Sequence, residues 1–177
     1  MYIALMDYIL SPTCHSVFDI AEMGEITRDQ AFFYQKMMGL NMISRFDRVT
    51  PVNLLSLLLD KIKNKIESHH VKYVLLAHTA DYIAPQSNLF YRDIKQKYHF
   101  NNAIIMGSTL NKCASAFHWV ALSQLLFETL SELDCILVLM VDTAFTVILK
   151  TIPGSTILGD AAAAILLQKK IRLSSRD

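Results

Sequence analysis

Apolar residues recur along the chain with two different periods, and the periods alternate. One group repeats every three or four residues, which predicts a helix with a single buried face: Leu54, Leu55, Leu58, Leu59, Ile62 and Ile66. Thr50-Pro51 stands directly before it, where a threonine suits the N-cap and a proline the first helical position. A second helix is predicted over Arg28–Met38, between a Thr27 cap and Gly39.

Short continuous runs of β-forming residues predict the strands. They cover Met1–Tyr8, Val71–Ala77, Asn102–Met106, Cys135–Val141 and Ala161–Gln168. Runs that are apolar at successive positions are typical of strands covered on both faces. Helices are predicted over Ser87–Tyr98 and Ala114–Leu130, and the second is apolar or small at almost every position, so we expect it to be buried nearly all round. The alternation predicts an α/β fold with a mostly parallel sheet.

Composition narrows the possible classes of protein. Apolar residues make up 53% of the 177 residues and charged residues 19%, which excludes a disordered chain. The net charge of +1 gives no field that would attract nucleic acid. The longest apolar runs have seven residues, whereas a membrane-spanning helix needs about 20. We expect one domain over residues 1–168 and a charged tail over residues 169–177, with no membrane or nucleic-acid partner.

The cysteines and the N-terminus indicate a location. Cys14, Cys113 and Cys135 form an odd set without a disulfide framework spacing, which favours reduced thiols. Met1–Leu10 carries Asp7 and no cationic segment, so it does not have the pattern of a secretory signal. We therefore expect a cytoplasmic protein.

Cys113 is the candidate nucleophile. It follows a predicted strand and a short loop and stands at the start of the helix over Ala114–Leu130. The positive end of a helix dipole and the unpaired N–H groups of the first turn favour a thiolate there. His118 is five residues further on, about 140° around the helix, and is a poor base for that thiol. The alternative is that Cys113 is a small buried apolar residue.

The surroundings of Cys113 resemble those of the ketoacyl-ACP synthase III family of the thiolase superfamily. In that family the nucleophilic cysteine opens a buried helix in a Cys-Ala-Gly/Ser-x-Phe context, which matches Cys113-Ala114-Ser115-Ala116-Phe117. A strand ending in Asp/Glu-Thr follows, here Val141-Asp142-Thr143, and then a Gly-Asp-Gly-Ala-Gly-Ala turn, here Gly159-Asp160-Ala161-Ala162-Ala163-Ala164. The resemblance covers about residues 1 to 168.

The resemblance implies a thiolase-like half with a five-stranded mixed, mostly parallel sheet and helices on both faces. It implies an acyltransferase of fatty-acid or polyketide synthesis, in which Cys113 takes an acyl group from a coenzyme A or acyl-carrier-protein thioester. No cofactor is expected to be permanently bound. Ala84 and Phe117 would line the acyl site, and no residue is assigned to hold coenzyme A.

The resemblance also implies partners. Family members are about twice as long, and their second half carries a histidine and an asparagine that promote decarboxylation. We therefore expect a homodimer or a separate subunit with that second half, besides the acyl carrier protein. The family's dimer places the strand after the nucleophile's helix beside its counterpart, which would be Cys135–Val141 here.

Three departures leave an alternative open. The family's Arg-Thr-Gly-Ile segment corresponds to Met37-Met38-Gly39-Leu40, and a bulky aromatic residue corresponds to Ala84 beside Pro85. The alanines after Asp160 are expected to crowd backbone that glycine leaves open. These changes fit either a divergent enzyme or a non-catalytic structural partner of a thiolase-fold enzyme. An unrelated small α/β binding domain is the third possibility.

Other constellations predict no further site. Asp142 and Asp160 could be paired carboxylates, but we interpret them as caps of strand ends and turns. No metal site is predicted, because Cys14-His15 and His69-His70 lack zinc-ligand spacing and nothing in the sequence pairs them.

Overall fold

A five-stranded sheet organises the chain. The computed structural model describes residues 1–46, 49–79, 87–109, 114–143, 151–152 and 156–169. The strands are β1 (Tyr2–Leu10), β2 (Cys14–Ser16), β3 (Met42–Ser44), β4 (Val71–His78), β5 (Ile104–Ser108), β6 (Cys135–Asp142), β7 (Thr151–Ile152), β8 (Thr156–Ile157) and β9 (Ala161–Gln168). The helices are α1 (Val17–Glu22), α2 (Arg28–Met38), α3 (Pro51–Ile62), α4 (Ser87–Lys97) and α5 (Ser115–Leu126). Short 3-10 turns cover Lys63–Lys65 and Ser68–His70.

The order of strands in the main sheet is β1-β9-β6-β4-β5. Strand β4 pairs in parallel with both β5 and β6, whereas β9 is antiparallel to both β6 and β1. Four strands therefore run in one direction and β9 opposes them, which confirms the predicted mixed, mostly parallel sheet. Strands β2 and β3, and β7 and β8, form two small separate pairs.

Strand β6 lies at the centre of this sheet. It pairs with β4 on one side and with β9 on the other along its whole length. The prediction that Cys135–Val141 lies beside its counterpart in a dimer is therefore wrong, because both of its backbone edges are already hydrogen-bonded. The edges of the described sheet are β1 and β5.

Helix α3 covers one face of the sheet with its leucine stripe. Leu54, Leu55, Leu58, Leu59 and Ile62 are each at most 1% exposed. They pack against alternate residues of the central strands, including Leu137, Leu139 and Val141. The helix begins as predicted, since the Thr50 hydroxyl accepts the backbone N–H of Asn53 at 3.2 Å. The predicted stripe is confirmed.

Helix α2 has both predicted ends. Thr27 and Gln30 form a reciprocal capping box, in which each side chain accepts the backbone N–H of the other residue. Gly39 ends the helix with φ of +68°, a left-handed conformation that favours glycine.

Helix α5 lies on the opposite face of the sheet and is largely exposed. Phe127, just after the helix, packs with Leu75, Ile136 and Val138. Within α5, however, Phe117 is 77% exposed and Leu125 63% exposed. The expectation of burial nearly all round is wrong, because in the described part of the chain only the sheet packs against this helix.

The alanine run forms a regular strand. Ala161–Gln168 is β9, with the predicted bounds, and it pairs without interruption with β6. Ala162 and Ala164 are buried on the α3 side, where their methyl groups serve as small core side chains. The expected crowding is therefore not found along β9. Residues 170–177 of the predicted tail lie outside the described residues.

Among the residues that the structure describes, no helix combines the length and the apolar character needed to cross a membrane.

Candidate functional site

The N-terminus of α5 forms the centre of the candidate site. Ala114 is the N-cap, with φ of −88° and ψ of −2°, and its side chain makes no capping hydrogen bond. Ser115, the first helical residue, is 1% exposed. Cys113 directly precedes Ala114 in the sequence and lies outside the described residues, as does Ala84. The first-turn N–H groups of a 12-residue helix carry the positive end of its dipole, which favours an anion beside this terminus.

Two hydrogen bonds fix α5 on the sheet. The indole Nε1 of Trp119 donates to the carbonyl oxygen of Leu76 in β4 at 3.0 Å. One turn later, the Ser123 hydroxyl donates to the carbonyl oxygen of Trp119 at 2.7 Å. The first bond ties the first half of α5 to a central strand, so the position of its N-terminus follows from the sheet.

Phe117 and His118 both lie on the exposed side of α5. Phe117, predicted to line the acyl site, is 77% exposed in this chain. His118 is exposed as well, with its Nδ1 3.5 Å from the carbonyl oxygen of Ala114. Its place on the surface agrees with the expectation that it is not the base for Cys113.

A group of polar residues lies at the carboxyl ends of the three parallel strands. It consists of His78 at the end of β4, Thr79 directly after it, Asp142 at the end of β6 and Tyr91 of α4, all close to Gly107 or to one another. We call it the carboxyl-end cluster. In open α/β sheets this edge is where ligands bind.

Asp142 and Thr79 join the ends of β4 and β6. The backbone N–H of Thr79 donates to Asp142 Oδ1 at 2.8 Å, and its hydroxyl donates to Oδ2 at 2.9 Å. Burial raises the pKa of the Asp142 carboxyl, and the two Thr79 bonds and the nearby His78 only partly oppose this effect. Asp142 thus caps a strand end, as predicted.

Tyr91 and His78 meet above Gly107. A Cβ atom added at Gly107 would lie 2.6 Å from the Tyr91 hydroxyl oxygen and 3.6 Å from His78 Nε2. A larger residue at this position would therefore displace the Tyr91 hydroxyl. Burial raises the pKa of the Tyr91 hydroxyl, and His78 is 7% exposed. The structure thus places two titratable side chains together at the end of the strand that leads toward Cys113.

Neither His78 nor Tyr91 was predicted as a site residue from the sequence. The available signal was a polar His78-Thr79 pair directly after a buried strand, which marks the carboxyl edge of a parallel sheet. Tyr91 carries no such signal, since its approach to Gly107 depends on how α4 packs.

Asp160 has a structural role. Its carboxylate accepts the backbone N–H of Phe46 at 2.7 Å, and its carbonyl oxygen accepts the Ser44 hydroxyl at 2.8 Å. The preceding Gly159 passes so close to β3 that a Cβ atom would lie 2.9 Å from the carbonyl oxygen of Ser44. The Gly159-Asp160 turn therefore joins β9 to β3, which confirms the interpretation of Asp160 as a turn residue.

The two described cysteines differ in their surroundings. Cys135 is 2% exposed, and burial raises the pKa of its thiol to about 12. Cys14 is exposed, with its Sγ 4.0 Å from the carbonyl oxygen of Ser11. Cys135 is therefore an unreactive thiol, and Cys14 is the natural control for experiments on Cys113.

One group of side chains could hold a metal ion among the residues that the structure describes. The donor atoms of Glu67, His69 and His70 all lie within 4.8 Å of one another. The expectation that nothing pairs His69-His70 is therefore wrong, because the 3-10 turn of Ser68–His70 brings both imidazoles to the carboxylate of Glu67.

The comparisons with known proteins yield structural neighbours only. No protein-family model and no curated protein matches the chain. Among solved structures it is similar to ChlB3, described as an acyltransferase, with 14% identity over 93% of this chain and 49% of that chain and a TM-score of 0.73. A variant of Xanthomonas campestris OleA gives 19% identity over 94% and 55%, with a TM-score of 0.71.

A third neighbour is the HMG synthase of the curacin biosynthetic pathway, solved in complex with a holo donor-ACP. It has 12% identity over 93% of this chain and 40% of that chain, with a TM-score of 0.69. The chain has a thiolase-like fold. The predicted fold class is thus confirmed, and the chain spans about half the length of the solved structures it matches.

Proposed function

We propose that the chain is the cysteine-bearing half of a thiolase-fold acyltransferase of the 3-oxoacyl-ACP synthase III type. Cys113 accepts an acyl group from a coenzyme A or acyl-carrier-protein thioester. The observation that carries the proposal is the place of Cys113 in the chain, directly before the N-terminus of α5 in a thiolase-like fold.

The acyl transfer needs three elements. The thiolate of Cys113 attacks the thioester carbonyl carbon and forms a tetrahedral oxyanion. N–H groups of the first turn of α5 donate hydrogen bonds to that oxygen. The C–S bond to the carrier then breaks, the carrier leaves as a thiolate and takes up a proton, and Cys113 keeps the acyl group as a new thioester.

The carboxyl-end cluster supplies the titratable groups that carry the proton between the Cys113 thiol and the departing carrier. His78 and Tyr91 both approach Gly107 near the end of β5, and Gly107 is six residues before Cys113 in the sequence. A neutral imidazole accepts the proton of the Cys113 thiol, and the imidazolium returns it to the departing carrier.

The second half is supplied by another polypeptide or another segment. In the family that the sequence resembles, decarboxylative condensation uses a histidine and an asparagine of that half. The surface on the α5 side supports such a partner, since Met6 and Leu10 of β1 and Phe117 and Leu125 of α5 are each more than 50% exposed. We call these four residues the α5-side apolar surface.

A homodimer is the other form of the partner proposal. Because β6 has both edges paired, a dimer that extends the sheet uses β1 or β5. Ile104 of β5 is 55% exposed, which supports that edge as a contact.

An acyl carrier protein is the proposed donor. One structural neighbour, the HMG synthase, was solved with a holo donor-ACP. Met37 supports the same choice, since it is 72% exposed where the resembling family has an arginine that helps to hold coenzyme A. We place the reaction in fatty-acid or polyketide-type synthesis in the cytoplasm.

The second candidate function is that of a non-catalytic structural partner of a thiolase-fold enzyme. The observation that favours it is the exposure of Phe117, which leaves the expected acyl site open on one side.

Intact-mass spectrometry separates the two functions. After incubation with acyl-coenzyme A or an acyl carrier protein thioester, we expect one acyl adduct per chain. The adduct is lost in Cys113→Ala and retained in the matched Cys14→Ser variant. A chain that gains no acyl mass from either donor, alone or with its second half, is the structural partner.

A further inference from the structure

The turn between α3 and β4 gathers three metal-binding side chains away from the candidate active site. It lies at the amino end of β4, whereas the carboxyl-end cluster lies at the other end of the strand. Glu67 Oε2 is 3.5 Å from His70 Nε2 and 4.0 Å from His69 Nε2. The two imidazole rings have their centroids 4.0 Å apart.

These separations are close to those in an occupied site. Metal–ligand distances of about 2.0–2.2 Å put neighbouring donors of a tetrahedral zinc ion roughly 3.3–3.5 Å apart. The Glu67–His70 separation already has this value, all three donor atoms lie within 4.8 Å of one another, and the 69% exposed side chain of His69 is free to close the remaining distance.

The backbone of the turn holds the ligands in place. The N–H of His70 donates to the carbonyl oxygen of Glu67 at 3.0 Å, and that of Val71 donates to Ser68. Ile66 before the turn and Val71 after it are both buried, at 8% and 0% exposure. The turn is therefore fixed at both ends by the core, and the three side chains project from it.

Lys65, two residues before Glu67, does not compete for this site. Lys65 Nζ is 2.9 Å from Asp7 Oδ2, and Lys61 binds the other oxygen of the same carboxylate. The Lys65 ammonium is thus directed to Asp7, and the Glu67 carboxylate remains beside the two histidines.

We propose that Glu67, His69 and His70 form a surface binding site for a divalent transition-metal ion of the Zn²⁺ type, with water in the remaining positions. Two imidazoles and one carboxylate suit Zn²⁺ better than Mg²⁺ or Ca²⁺, which prefer oxygen ligands. The site stabilises the turn that joins α3 to β4, since an ion that binds only the folded turn raises the free energy of unfolding with the logarithm of the ion concentration above Kd. This proposal does not depend on the proposed function.

Calorimetric titration of the untagged, chelator-treated chain with ZnCl₂ tests the proposal. We expect one site, with affinity lowered at least about tenfold in His70→Gln, in His69→Gln and in Glu67→Gln. The matched control is His118→Gln, which removes an exposed imidazole from the first half of α5, where Trp119 ties the helix to Leu76 near the opposite end of β4. Its affinity should equal that of the natural chain.

NMR spectra of the imidazole C–H groups give the location of the bound ion. Zn²⁺ should shift the signals of His69 and His70 and leave that of His118 in place. Absence of binding at millimolar ZnCl₂ overturns the proposal. So does binding that Cys14→Ser abolishes and the His69→Gln/His70→Gln double variant leaves unchanged, because the ion then sits at Cys14 and His15.

Discussion

The two faces of the sheet differ in how completely they are covered. On the α3 side, the leucine stripe of α3 and the side chains of α4 close a continuous core over β4, β6 and β9. On the α5 side, one helix covers only the central strands, and Met6, Leu10, Phe117 and Leu125 remain exposed. The α3 side therefore carries the stability of the fold, and the α5 side is where both the proposed chemistry and the proposed partner meet the chain.

The apolar residues of the two faces therefore differ in their exposure to water. Leu58 of α3 and Leu125 of α5 contribute equally to composition, but Leu58 is fully buried and Leu125 is 63% exposed. The high apolar share of the sequence is thus explained in part by a core and in part by a surface that we propose to be covered by a partner.

Substitution within α3 tests the difference most strongly. Leu58→Ala removes a fully buried side chain, so we expect the free energy of unfolding to fall by about 2–5 kcal/mol in urea denaturation. The adjacent Leu57, which is 49% exposed, is the matched control. Leu57→Ala should change the free energy of unfolding by about 0.5 kcal/mol or less. Equal losses in the two variants would contradict the assignment of the core to this face.

The packing at the β5 edge of the α3 side is tested by substitution of Gly107. In Gly107→Ala the new methyl group meets the Tyr91 hydroxyl at 2.6 Å, so we expect a loss of about 1–3 kcal/mol from overpacking. Because the close atom is that hydroxyl, Tyr91→Phe should restore most of the loss in the double variant. A loss that is unchanged by Tyr91→Phe would show that backbone strain, not this contact, requires the glycine.

The buried carboxyl of Asp142 predicts a pH effect. Its folded-state pKa is raised by burial, so the folded chain holds more protons than the unfolded chain just above about pH 4. Its contribution to stability is therefore largest at low pH and declines as the pH rises through the folded-state pKa. The difference in unfolding free energy between the natural chain and Asp142→Asn should decrease over that range, measured by urea denaturation at successive pH values. An increase would mean that the Thr79 hydrogen bonds dominate and the pKa is lowered.

The smallest effect on stability is expected on the α5-side apolar surface. Met6→Ser and Phe117→Ser should leave the free energy of unfolding of the isolated chain within about 0.5 kcal/mol. Light scattering should show that the natural chain self-associates or binds a second-half subunit, and that the double variant does neither. A well-behaved monomer of the natural chain that binds no such subunit contradicts the partner proposal.

The sequence predicted the elements whose signals are local. The caps of α2, the stripe of α3 and the bounds of β9 follow from spacing and end residues within one segment, and the structure has each of them. The exposure of α5 and the central place of β6 could not be predicted in the same way, since they depend on which other elements lie alongside.

The candidate sites also differ in whether their signal is local in the sequence. Cys113 was selected because a residue before a helix is visible in the sequence. The contact of Tyr91 with Gly107 spans two elements, and the Glu67–His69–His70 group depends on a 3-10 turn that no periodicity indicates. The pairing of β2 with β3 was missed because each strand has only three residues.

Site-resolved mass spectrometry of the acylated chain tests the account most directly. After reaction with an acyl carrier protein thioester, peptides that contain Cys113 should carry the acyl group as a hydroxylamine-sensitive thioester. Peptides that contain Cys14 or Cys135 should remain unmodified, the second because its thiol is buried. Acylation spread over Cys14 and Cys113 at equal rates, or found at Cys14 alone, would contradict the claim that the start of α5 activates Cys113.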